Sequence, residues 1–396
     1  MTFVPSRVLL LMLAFAGFVS LGLPDAVLGI AWPSLRREFL LTQAALGWIL
    51  LAGSSGYFTS GLFAGRLMAR AGVGSLLFGS TVLVVAGVLG YTFAPSVLLF
   101  ALAAIVVGWG SGAIDAGLNA HAARHFRPGH MAWLHAAYSA GAALGSVMMA
   151  RAVTSSAGVR AGYAAVAALL VALSVAFFLT RRFWSENDAT ANRSPSEGSV
   201  ASIGAREALR KRTVKLGALS FFVYSGVELG AGHWAYTILV QSRNVSEDVA
   251  GLVVSAYWAS LFVGRVASGF LVERVGNVGI VRYATGLALL GAAAFAVSAL
   301  PGLVSAAGLV LVGFAIAPIY PALMSETPRR TRDAAGHAIG FQVSAAIAGA
   351  VTLPALGGLL AEWIGLEATA GLVAACAATL LVLAEALTHA AEIRRR

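Results

Sequence analysis

Long apolar stretches alternate with short polar breaks along almost the whole chain, and each stretch is about the twenty residues a membrane-crossing helix needs. Twelve can be marked, at 7–33, 43–65, 74–93, 97–121, 131–153, 161–180, 214–241, 248–270, 279–299, 303–326, 336–361 and 367–390. Lipid offers no partner to backbone N–H and C=O groups, so only helices and closed barrels span it. A barrel would show short segments of alternating polarity, which this sequence lacks. The pattern predicts an all-α membrane protein with twelve transmembrane helices.

The longest polar stretch, 181–213, lies between spans six and seven and ends in the basic run A-R-E-A-L-R-K-R (205–212). It predicts a linker between two halves at 1–180 and 214–396, its end forming a short helix on the membrane surface. Of 27 Lys and Arg residues, only Arg36, Arg37, Arg151, Arg160 and Arg243 fall in loops on one side. The other 22 lie at the opposite side, so both termini are expected in the cytoplasm. Composition agrees: 11% of residues are charged, against about 25% in soluble proteins. The net charge of +10 is spread through the breaks rather than gathered in one domain, which argues against a nucleic-acid partner. Two Lys against 25 Arg, in a chain rich in Ala and Gly, point to a GC-rich bacterial genome and hence a bacterial inner membrane. The single cysteine, Cys376, lies in an apolar stretch, so neither an intrachain disulfide nor a Cys-rich metal site is expected. Met1–Arg7 leads straight into a stretch longer than the core of a cleavable signal, and that stretch reads as span one. A monomer in the lipid bilayer is expected.

The halves repeat at an offset of 204. Thr42 and Ser246 precede spans two and eight as expected N-caps. Gly47 then matches Gly251, Gly65 matches Gly269, Leu67 matches Leu271, Arg70 matches Arg274 and Gly72 matches Gly276. The run G-R-L-M-A-R-A-G (65–72) therefore echoes G-F-L-V-E-R-V-G (269–276). Repeated halves are how many transporters build access from two sides. This G-x-L-x-[DE]-R-x-G loop resembles the signature of the major facilitator superfamily. With GLPDAVLGIAWP (22–33), DAGLN (115–119), YSGVE (224–228) and AIGFQ (338–342), the chain is similar to the fucose:proton symporter-like branch and its bacterial relatives. The resemblance implies two pseudo-symmetric six-helix bundles, with Arg70, Glu273 and Arg274 locking adjacent helices in one transport state. The first copy carries Ala69 in place of the acid, so the lock is expected to rest on the second.

Ionisable groups within spans are costly and mark function. Asp25 lies a little outward of the middle of span one, and Glu228 at nearly the same depth in span seven. Pro24 removes a backbone donor and should loosen the helix beside Asp25. Asp115 and Asn119 are four apart and share a face of span four. Folding the next hairpin about residue 125 brings His135 level with Asp115, where the two could exchange a proton. Asp25, Asp115, Glu228 and His135 are the candidate proton-coupling groups. Few other oxygen ligands surround these acids, which favours H⁺ over Na⁺ as the coupling ion.

In the second half Tyr320 corresponds to Asp115 at an offset of 205, and folding about residue 331 brings Gln342 level with it. Asn119, Tyr320 and Gln342 supply donors and acceptors suited to hydroxyls. His233 and Trp234, one turn outward of Glu228, and Trp258 in span eight supply flat faces for a sugar ring. These six are the candidate substrate-binding residues. The plainer alternative is helix packing for each aromatic and a buried, paired group for each acid. Gly61/Gly65, Gly108/Gly112 and Gly141/Gly145 are small-xxx-small pairs expected to bring helices close.

The expected function is proton-coupled symport of a small polar solute, with a monosaccharide implied by the resemblance and no cofactor. A proton-driven exporter of drugs or metabolites is the alternative. It calls for an aromatic, apolar pocket rather than three midmembrane acids. Gly145 also lacks the proline that follows in the drug:proton antiporter signature. A membrane-embedded enzyme or sensor would need a catalytic cluster or signalling domain, and the sequence shows neither.

Overall fold

The computed structural model describes residues 7–126, 128–191 and 204–393, and helices carry nearly all of them. They are α1 (Arg7–Glu38), α2 (Ala45–Phe93), α3 (Val97–His125), α4 (Pro128–Thr154), α5 (Gly158–Ala191), α6 (Ala205–Ala208), α7 (Arg212–Thr237), α8 (Glu247–Ala296), α9 (Gly302–Ile316), α10 (Ile319–Thr331), α11 (Ala335–Trp363) and α12 (Glu367–Ile393). Twelve spans emerge once α2 and α8 are each divided at an internal turn and α9 with α10 is taken as one span. In the first unit α1 packs on α4 and α2 on α3 and α5; in the second, α7 packs on α11 and α12.

Both internal turns fall on the last glycine of the repeated loop. Gly72 has φ 77°, ψ 161°, and Gly276 has φ 72°, ψ 160°. That region of backbone space is open to glycine almost alone, because a Cβ would collide with the chain's own carbonyls. One residue thus reverses the chain at the same place in each half. Gly72→Ala and Gly276→Ala are each expected to lower unfolding stability by about 1–3 kcal/mol. Gly65→Ala, where a Cβ meets open space, should stay within about 0.5 kcal/mol. Thermal unfolding of the three variants in detergent measures the difference.

The close-packing glycines divide. A Cβ on Gly108 or Gly112 would strike the carbonyl oxygens of Gly53 and Tyr57, and on Gly141 or Gly145 those of Val19 and Leu23. These pairs let α3 lie on α2 and α4 on α1 at backbone distance. Gly61 and Gly65 do not act this way, since a Cβ on either would meet nothing within 4 Å.

Four further expectations change. Span ten is not continuous: α9 ends at Ile316 and α10 starts at Ile319, because Pro318 lacks a helix donor and its ring crowds the carbonyl four residues back. Pro24, by contrast, leaves α1 unbroken through Glu38. Ser246 occupies the N-cap of α8 without a side-chain bond, and the N-cap of α2 is Ala44, two residues after Thr42. Finally, the α10–α11 connection includes a 3₁₀ turn, Arg332–Ala334, which moves the fold point past residue 331. Gln342 is therefore opposite Thr327, whose Oγ1 donates to its Oε1 at 3.0 Å. Thr327 is seven residues from Tyr320, about 10 Å along a helix, so Gln342 and Tyr320 are not level.

Of the 181–213 linker, residues 192–203 lie outside the described residues. Its start continues α5 as far as Ala191, and its end forms the four-residue α6. Ala208 of that end packs with Val214, Ala334, Ala338 and Phe341, and Lys211 Nζ holds both carboxylate oxygens of Asp333 at 2.6 and 2.7 Å.

Candidate functional site

Each half builds its own polar cluster within the spans. In the first, the close approach of α2 and α3 at Gly112 lets the Tyr57 hydroxyl reach Asp115. Tyr57 Oη donates to Asp115 Oδ2 at 2.7 Å, and Asn119 Nδ2 donates to Oδ1 at 2.8 Å. The shared helical face of Asp115 and Asn119 is thus seen directly. Asn119 commits one N–H to this bond and keeps its amide oxygen for another donor. Asp25 on α1 is exposed, and the Tyr138 hydroxyl of α4 donates to its Oδ2 at 2.6 Å. The His135 ring lies edge-on to Phe18, with centroids 5.2 Å apart, whereas both Asp115 oxygens are engaged by Tyr57 and Asn119.

In the second half Glu228 sits opposite a partner that the sequence analysis did not single out. Arg265 of α8 donates through Nη2 to Glu228 Oε1 at 2.9 Å and to the Tyr224 hydroxyl at 3.3 Å. Each side chain of the pair is only 10% exposed. The Tyr257 hydroxyl donates to the Glu228 carbonyl at 2.7 Å. Tyr320, just past the break between α9 and α10, packs its ring against Phe221 at 4.8 Å and Tyr224 at 5.7 Å. One turn of α7 with its neighbours therefore presents a carboxylate, a guanidinium and three phenols. A discontinuous helix beside such a group is a usual feature of transporter binding sites.

The candidates Trp234, Trp258 and His233 lie deeper in the packing. Trp234 donates through Nε1 to the Pro354 carbonyl at 2.9 Å and braces α7 on α11. Trp258 packs edge-on to Tyr257 and against Gly232. His233 is buried at 3% exposure. Arg70, Glu273 and Arg274 are exposed and form no ion pair with a described residue. Beside their loop, Asn277 Nδ2 donates to the buried Glu326 Oε1 at 3.0 Å, tying the residue after Gly276 to α10. Arg265 and Glu326 had one legible signal: each is an ionisable residue inside or just at the end of an apolar stretch. Tyr57 and Tyr138 had none, since a tyrosine in a span reads as packing.

Comparison with known proteins bears on the whole arrangement. The Major Facilitator Superfamily family model matches residues 13–345. Among solved structures, a D-xylose-proton symporter superposes with a TM-score of 0.77 at 15% identity, over 96% of this chain and 97% of its own. The transporter FucP in the outward conformation superposes with a TM-score of 0.62 at 17% identity, over 95% and 98%. By sequence, the glucose/mannose transporter GlcP of Bacillus subtilis is 26% identical over 28% of this chain. Bypass of stop codon protein 6 of Saccharomyces cerevisiae is 25% identical over 46% of this chain. The matched stretches span 28% and 39% of those two relatives. With a family match over most of its length and twelve apolar helices in two related bundles, the chain belongs to the Major Facilitator Superfamily and is a multi-pass membrane transporter, not an enzyme.

Proposed function

We propose that the protein is a proton-coupled symporter of a monosaccharide, working by alternating access. The observation that carries this reading is the contrast between two carboxylates. Glu228 faces a fixed cation, Arg265, whereas Asp115 is met by neutral donors, Tyr57 and Asn119. An acid held by neutral donors can take up and release a proton without stranding a buried counter-charge. Asp115 is the proton carrier in this scheme, with Asp25 and its Tyr138 partner a second acid on the same half. Asn119 and Tyr320 offer hydrogen bonds to sugar hydroxyls, and the phenol cluster around Tyr224 offers ring faces. The proton symporters of xylose among the similar structures, and the glucose/mannose transporter among the relatives, support the substrate class. The charge bias of the loops supports a bacterial inner-membrane location with both termini in the cytoplasm.

Proteoliposomes given a panel of labelled monosaccharides test this reading. An imposed pH gradient should drive accumulation of at least one sugar by the wild type. Asp115→Asn should abolish accumulation yet keep sugar exchange without a gradient. Undiminished accumulation in Asp115→Asn would remove that residue from coupling, and accumulation indifferent to pH would remove the proton.

The lock is proposed to rest on the second copy of the repeated loop, where Glu273 stands and Ala69 has no charge to offer. Glu273→Ala should alter the labelling rate of cysteines introduced along the spans more than Ala69→Gly does. Equal labelling in both variants would discard the asymmetry.

A further inference from the structure

The basic run at the start of the second half is more than a topology signal, because the fold fixes it in place and adds to it. Ala208 is fully buried against Val214, Ala334 and Ala338, and Lys211 is spent on Asp333. These two anchors pin 205–215 to the α10–α11 connection. Arg206, Arg210, Arg212 and Lys215 stay exposed and form no ion pair with a described residue. The Lys211–Asp333 bond also brings in Arg332, exposed, and adjacent to Asp333. Five cations from two segments thus share one patch, with Glu207 the one exposed acid in the basic run. The acids of α10 and of the turn that follows it are committed: Asp333 to Lys211 and Glu326 to Asn277. Leu209, 42% exposed, lies among them.

We propose that this patch is a binding site for the headgroup of an acidic phospholipid. The charge is complementary, and the patch opens directly onto the first turn of α7, a membrane span, where headgroups lie. Leu209 offers the apolar contact expected at the interface between headgroup and acyl chain. Basic residues next to a span attract anionic lipid at about 1 kcal/mol each, roughly a fivefold change in occupancy per cation. Arg332 distinguishes the proposal from a plain sequence run, since it joins only through the tertiary bond at Asp333.

The test uses the full chain in nanodiscs of phosphatidylcholine with a titrated fraction of phosphatidylglycerol, with retained lipid read by native mass spectrometry. Wild type should retain phosphatidylglycerol selectively. Arg206→Gln/Arg210→Gln/Arg212→Gln should lose that selectivity by roughly a hundredfold, and Arg332→Gln alone by roughly fivefold. Arg66→Gln/Arg182→Gln, which removes two exposed cations elsewhere, should change nothing. Equal retention in the triple variant, or an equal loss in the Arg66/Arg182 control, would overturn the site. Competition by inorganic phosphate as strong as by lipid would reassign the patch to a free anion and also overturn it.

Discussion

Arg265→Ala is expected to be among the most damaging single substitutions in the second half, lowering unfolding stability by about 3–5 kcal/mol. The cause is what it leaves behind. Glu228 is 7% exposed, and its side chain meets Arg265 among the phenols of the second half. Removing the cation leaves a buried carboxylate beside Tyr224 and Tyr257 with its charged partner gone. A buried pair is worth little net over a neutral replacement, but breaking it from one side costs the full desolvation of the survivor. The double variant Arg265→Ala/Glu228→Gln should therefore recover most of the loss, since no charge then remains to be solvated. Thermal unfolding of the two single variants and the double in detergent closes a cycle and yields the coupling between the residues. If the double is no more stable than Arg265→Ala, the pair is not the reason for the damage. Transport separates from stability here. With Glu228 held by a fixed cation, Glu228→Gln should leave pH-driven accumulation less affected than Asp115→Asn does.

How far the sequence reached is clearest at this pair. Glu228 was legible because an acid in an apolar stretch has few bland explanations. Arg265 escaped because it lies five residues before the end assigned to span eight at 270, where basic residues ordinarily face headgroups. The helix runs on to the turn at Gly276 and takes Arg265 inward with it. Gly72 and Gly276 were legible as a repeat, since a backbone angle only glycine adopts leaves a mark in sequence. The depth of Gln342 was not, because it hangs on a three-residue turn whose length no periodicity reveals. Tyr57 and Tyr138 find their acids across 58 and 113 residues of chain, and only helix packing brings those pairs together.

Two of the five arginines that the sequence assigns to outer loops serve a second structural purpose. Arg160, near the start of α5, donates to the carbonyls of Tyr91 at 2.7 Å and Ala94 at 2.8 Å, and it pairs with Glu38 at the end of α1. Arg243, at the end of span seven, donates to the Phe295 carbonyl at 2.8 Å and is held in a fork by Glu367, the first residue of α12. Tyr91 and Phe295 are the same position of the two halves at the repeat offset of 204. In both halves, then, a guanidinium caps the closing carbonyls of the helix after the glycine turn, which would otherwise lack partners. The signs are exchanged: the first half keeps its acid on the first span and its arginine on the sixth, and the second half does the reverse. What the fold requires is an arginine at those carbonyls and an acid to hold it, from either side. The second clamp is the more buried, with Arg243 10% exposed against 29% for Arg160. Arg243→Ala should therefore cost about 3 kcal/mol, the range of a charge-assisted bond lost together with its stranded partner. Glu38→Ala, at a half-exposed pair, should cost under about 1 kcal/mol. The decisive variant is the exchange Glu38→Arg/Arg160→Glu, which gives the first half the layout of the second. It should be more stable than Arg160→Glu alone by at least half of that variant's loss, as read by thermal unfolding in detergent. No recovery in the exchange would show that in the first half only the sixth span can supply the cap, and that the two clamps are not equivalent.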